Sequence, residues 1–148
     1  MPIIEYPFKK LTPADPLRPI LPIRITNPDT GLSLRSWGLI DTGADDCAFP
    51  AGMATILGHN LSAGTPKQIG TGNGVTIAYA HTCKIEIFKI EPDGNVSDEE
   101  VVYKIDNTPL DFMPNLESLL LGVQNFLNNF ILTIDYPNKS FSVCHPTM

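Results

Sequence analysis

Charge is scarce in this sequence of 148 residues: 18% of the side chains are Asp, Glu, Lys or Arg, against about 25% in average usage. Basic residues are scarcer still. Ten Lys and Arg stand against 16 Asp and Glu, a formal net charge of −6 with no Lys/Arg cluster, so a surface that grips nucleic-acid phosphates is excluded as a main function. Cysteine occurs three times, as Cys47, Cys83 and Cys144. An odd count without Cys-x-x-Cys spacing supports neither a disulfide framework nor a zinc site, and reads as reduced thiols in a cytoplasmic protein. No apolar run approaches the roughly 18–20 residues of a membrane span. The opening Met1-Pro2-Ile3-Ile4-Glu5-Tyr6-Pro7-Phe8 has neither a basic nor an apolar signal region, so a cytoplasmic address is expected.

What is present is a chain with 43% hydrophobic residues, enough for one folded domain of the usual size of about 100–200 residues. Six of its 14 prolines fall in the first 22 residues. Each fixes φ and removes a donor, so residues 1–19 are expected to form an extended arm and residues 20–148 the domain proper. From residue 20 the period becomes two. Ile23 and Ile25 alternate with Arg24 and Thr26, and the Asn27–Gly31 turn leads to a returning strand from Leu32 and Leu34 through Trp37 to Ile40. After Gly74 a long strand places Val75, Ile77, Tyr79, Cys83, Ile85 and Ile87 in one phase; the Glu91–Asn95 turn precedes a strand from Val101 to Leu110. A C-terminal hairpin pairs Ile131–Ile134 with Phe141–Cys144. Helical signal is thin. Pro50–Leu57 fits a short helix with proline in its first turn, and Val123, Phe126, Leu127 and Phe130 have the spacing of one helical face. The expected class is all-β with a short C-terminal helix.

The chemistry concentrates in Gly38-Leu39-Ile40-Asp41-Thr42-Gly43-Ala44-Asp45-Asp46. An apolar strand delivers the Asp41 carboxylate to the edge of a core, where desolvation disfavours its charge. Gly43 allows a tight turn that brings a backbone N–H to that carboxylate, Thr42 supplies a hydroxyl, and Ala44 is small enough to let a substrate chain pass. The same three letters recur at Asp29-Thr30-Gly31, but Asn27-Pro28 precede them and no apolar strand leads in, so that copy reads as a turn.

Leu39–Asp46 resembles the active-site loop of retropepsins, the single-domain aspartic proteases of retroviruses and their cellular and bacterial relatives. Leu120-Leu121-Gly122 resembles the segment that packs beneath that loop in the family, and Gly70-Thr71-Gly72-Asn73-Gly74 resembles the glycine-rich flap that closes over bound peptide. The resemblance spans about residues 20–144. It implies a closed β-barrel or sandwich equivalent to one aspartic-protease lobe, with Asp41, Thr42 and Gly43 catalytic. Ala44, Asp45, Asp46, Gly70, Thr71, Gly72, Asn73 and Gly74 would contact substrate, and Leu120, Leu121 and Gly122 would support the loop. It implies no cofactor and no metal. Aspartic proteolysis needs two carboxylates about 3 Å apart sharing a proton. One chain offers one, so the second would be Asp41 of an identical subunit, giving a homodimer that acts on peptide or protein in extended conformation. Two departures stand out. Val123 occupies the place where many viral members carry arginine, leaving Asp45 without that partner. Ala44 stands where two-lobed relatives usually have Ser or Thr, which would raise the apparent pKa values of the dyad and favour mildly acidic to neutral pH.

Other readings fit less well. Asp41, Asp45 and Asp46 lack the alternating oxygen ligands of a calcium loop. Gly70–Gly74 lacks the lysine and following helix of a phosphate cradle. His81 falls in the apolar phase of its strand and reads as a structural histidine, and Cys47 as a packed thiol. The alternative to an enzyme is a retropepsin-like peptide-binding or dimerisation module with weak catalysis.

Overall fold

The computed structural model describes residues 3–72 and 74–146. Asn73, expected at the flap, lies outside the described residues. The strands are β1 (Ile3–Pro7), β2 (Ile20–Thr26), β3 (Ser33–Ile40), β4 (Ala48–Pro50), β5 (Thr65–Thr71), β6 (Gly74–Ile90), β7 (Val96–Met113), β8 (Leu119–Leu121), β9 (Ile131–Asp135) and β10 (Ser140–Cys144). Among the described residues one α-helix, α1, spans Ala51–Ile56, where Pro50 supplies the cap position and Gly58, at φ 79°, ends the turn.

β2, β3, β8, β4, β7 and β6 hydrogen-bond in that order, and β6 returns to β2, closing a six-stranded barrel. β5 is attached to β6 outside the ring, and β1-β10-β9 form a separate three-stranded sheet. The closed ring leaves no free edge among its members, a stable solution for short strands. Burial follows the period-two pattern. Ile23 and Ile25 of β2 and Cys83, Ile85 and Ile87 of β6 are buried, packing with Leu21, Phe49, Phe112, Leu121 and Phe126. Glu86 lies in the opposite phase and is nevertheless buried, its carboxylate held by Arg24 at 2.8 Å.

The phase breaks down in the first half of β6. Val75 and Ile77 are 70% and 47% exposed, because this stretch pairs with β5 alone and projects from the barrel with no layer beneath those side chains. Within the stretch 1–19, expected as an extended arm, Ile3–Pro7 is extended and lies across the domain: β1 pairs with β10, and Tyr6 and Phe8 are buried in the common core.

The expected C-terminal helix is a correction. After Gly122 the chain makes successive turns and one 3-10 turn at Leu127–Asn129. Asn125 adopts a left-handed φ of 63°, which an α-helix cannot contain, and Asn128 donates five residues back to Val123 O at 2.9 Å. The apolar spacing still works, since Phe126 and Leu127 are buried. Periodicity reported burial here and not helix. No helix among the described residues is long and apolar enough to cross a membrane.

Candidate active site

Asp41 follows directly on β3, which pairs in parallel with β8 through Gly38–Leu119, Leu39–Leu120 and Ile40–Leu121. That register carries on into the loop: the Asp41 N–H donates to Leu121 O at 3.0 Å. The Gly43 N–H donates to Asp41 Oδ1 at 3.1 Å, and Ala44 N–H to Asp41 O at 3.2 Å, so the carboxylate sits in a tight turn held by backbone. Gly122 locks the other side. Val123 N–H donates to Ala44 O at 3.0 Å and Gln124 N–H to Asp45 O at 2.6 Å, and a Cβ on Gly122 would collide with the Asp46 carbonyl. Cys47 is fully buried and burial pushes its thiol up to about 12, which makes it an inert packing group beside the loop.

The loop forms one wall of a cleft of about 680 Å³. Asp41, Gly43, Ala44, Asp45 and Asp46 line it from the β3 side, Gly70 from the β5–β6 hairpin, and Leu120 from below. Leu121 and Gly122 are buried behind this wall, and Gly72 and Gly74 lie at the exposed hairpin end. Gly74 has φ 115°, a conformation that favours glycine and lets β6 start with two residues between it and the end of β5. Thr42 is exposed and has no side-chain hydrogen bond among the described residues.

The fold has a counterpart among solved structures. A retropepsin-like aspartic protease from Rickettsia conorii superposes with a TM-score of 0.63, covering 96% of this chain and 98% of that one at 18% sequence identity. The fold is retropepsin-like. No family model matches the sequence, and no curated protein does either.

Within this retropepsin-like barrel two cleft residues escaped the sequence reading. Lys67 reaches from β5 to Asp46 Oδ2 at 2.6 Å and to Asp111 Oδ2 at 2.9 Å. Asp111 on β7 is 5% exposed, between the fully buried Leu110 and Phe112. A carboxylate inside an apolar run requires a cation or several donors, and that requirement was the available signal for it. The two carboxylates hold the Lys67 ammonium above its ordinary pKa, Asp46 contributing most through its hydrogen bond. The apolar floor consists of Ala48, Ile69, Met113, Leu116 and Leu120.

The second Asp-Thr-Gly is an exposed turn. Asp29 N–H donates to Asn27 Oδ1 at 2.9 Å, Thr30 Oγ1 donates to Leu57 O at 2.9 Å, and Asp29 lies outside the cleft. His81 Nε2 is 3.0 Å from Leu61 O and its ring lies 4.5 Å from that of His59, tilted by 34°, a structural arrangement outside the cleft that Asp41 lines.

Proposed function

We propose that this chain is an aspartic endopeptidase that works as a homodimer, Asp41 of each subunit forming half of the catalytic pair. The observation that carries the reading is Asp41 itself. It stands at the mouth of the cleft, anchored by its own backbone and by the Gly43 N–H, and its second carboxylate oxygen has no side-chain partner among the described residues. The likeness of the fold to that of a retropepsin-like aspartic protease supports the reading.

The chemistry follows from two such carboxylates at close range. Like charges about 3 Å apart share one proton. The ionised member takes a proton from water as it attacks the scissile carbonyl, and the protonated member donates to the developing oxyanion. One chain supplies one Asp41, so the second copy is required for the pair. Thr42, exposed beside Asp41, would hydrogen-bond across the two-fold axis of that dimer. The β5–β6 hairpin, with Val75 and Ile77 bare, serves as the flap over an extended peptide. Asp45 and Asp46 contact the peptide, with Leu120, Leu121 and Gly122 supporting the loop.

The test combines sedimentation with cleavage of a mixed peptide library. Wild-type protein should sediment as a dimer and cut the library at mildly acidic to neutral pH, and Asp41→Asn should remain folded and dimeric while cutting nothing. Unchanged cleavage by Asp41→Asn would end the assignment.

A further inference from the structure

Lys67 is unusual among the cleft residues in being cationic. Asp41, Asp45, Asp46 and Asp111 all carry carboxylates into the same space, and among the described residues Lys67 is the basic side chain lining it. Its ammonium lies 2.6 Å from Asp46 Oδ2 and 2.9 Å from Asp111 Oδ2, so it bridges the Asp41 loop and β7 from a position on β5. Asp111 is buried, whereas the Lys67 side chain is 43% exposed and opens toward the cleft. A carboxylate as deep as that of Asp111 needs a cation, and the chain supplies one on a flexible four-carbon stem. Ile69, Leu116 and Leu120 line the same cleft, an apolar surface suited to an uncharged side chain.

Resting on the protease reading, we propose that Lys67 determines specificity: its ammonium fills the cation position between Asp46 and Asp111, so the cleft rejects Lys and Arg side chains of the substrate there and accepts neutral apolar ones. A basic substrate side chain reaching this corner would have to displace the Lys67 ammonium from its bridging position or lie beside its like charge. An acidic one would meet Asp45 and Asp46, whose like charge disfavours it. Removing the lysine uncovers two carboxylates facing the cleft and should invert the preference toward basic side chains.

Peptide capture separates this inference from the catalytic one, because it requires no turnover. In the Asp41→Asn background, short peptides carrying Leu, Arg or Glu at each position in turn are measured for binding with Lys67 intact, with Lys67→Ala and with Lys67→Arg. The intact protein should favour Leu over Arg at one position. Lys67→Ala should shift that ratio toward Arg about tenfold, and Lys67→Arg should restore the original selectivity. Should Lys67→Ala fail to fold because Asp111 is left charged and buried, Lys67→Ala/Asp111→Asn keeps Asp46 exposed and should show the same shift. A folded variant whose Arg-to-Leu ratio is unchanged overturns the role of Lys67 and leaves the protease reading standing. Selectivity that inverts as expected while wild-type protein cuts no peptide upholds Lys67 and sinks catalysis. Absence of peptide capture by every variant overturns both.

Discussion

The N–H of Asp41 and the carbonyl of Leu121 are joined at 3.0 Å, so the candidate catalytic carboxylate is positioned by the end of a neighbouring strand. Eighty residues of chain separate the two, yet the parallel β3–β8 register makes them adjacent. Position at this site is therefore a property of the barrel as a whole, transmitted through backbone.

Gly122 is where that dependence can be measured. A methyl group there meets the Asp46 carbonyl carbon at 2.5 Å and Ala44 O at 3.0 Å, both backbone atoms that cannot rotate away. Gly122→Ala should cost about 1–3 kcal/mol, the usual range for overpacking, and weaken peptide capture by displacing the loop. Gly52 in α1 is the internal control. Nothing lies within 4 Å of a Cβ placed there, and Gly52→Ala should leave stability equal or raise it by about 0.4–1 kcal/mol. Urea unfolding midpoints of the two variants decide the matter; equal midpoints would mean that the loop does not rest on Gly122.

The contrast between Asp41 and Asp29 shows what was legible in the sequence. Identical triplets took different roles, and the residues ahead of them announced it: an apolar strand before Asp41, Asn27-Pro28 before Asp29. Alternation likewise gave β2, β3, most of β6 and the β9–β10 hairpin, since each has one face on the core. It was silent on β4 and β8, three-residue strands too short to display a period, and on β5, which pairs outside the barrel. The Val123–Phe130 spacing reported burial correctly and helix wrongly, because Asn125 takes a left-handed conformation that periodicity does not encode. Lys67 and Asp111 were hidden for a different reason. Their meeting depends on β5 and β7 both flanking β6, a property of topology and not of any local pattern.

His59 predicts a loss of stability on acidification. Burial lowers its pKa, and the neighbouring His81 ring adds to the effect against a smaller opposing influence of Asp29. Asn27 Nδ2 lies 3.4 Å from Nδ1 and also donates to Leu57 O, so Nδ1 acts as acceptor, with Nε2 placed 3.2 Å from Cys83 Sγ. The Cys83 thiol is itself pushed up to about 12 by burial and stays neutral. With the folded pKa below the unfolded one, the unfolded chain binds the extra proton first. His59 thus contributes its full stability above the ordinary value of about 6.5 and loses it as pH falls from there toward the folded value. Urea midpoints measured from about pH 8 to about pH 5 should decline, with His59→Gln flattening the slope. A slope that is unaltered in His59→Gln would assign the effect to other groups.

Tyr6 tests whether the proline-rich start of the chain is part of the folding unit. Its ring stacks on Phe141 at 5.3 Å between centroids, and its hydroxyl donates to Phe88 O at 3.0 Å, where the β6–β7 pairing shifts register. The side chain is 1% exposed, and burial raises its phenol well above the ordinary value, so the group remains a donor across the working pH range. Tyr6→Phe removes that donor and leaves a buried carbonyl at the irregularity without it, which should cost about 1–2 kcal/mol. Tyr6→Ala adds a cavity between the three-stranded sheet and the barrel and should cost about 3–5 kcal/mol. Both should unfold in one cooperative transition if β1 belongs to the same unit as the barrel. Loss of β1 in a separate, earlier step, seen as hydrogen exchange confined to Ile3–Pro7, would make this segment a detachable arm.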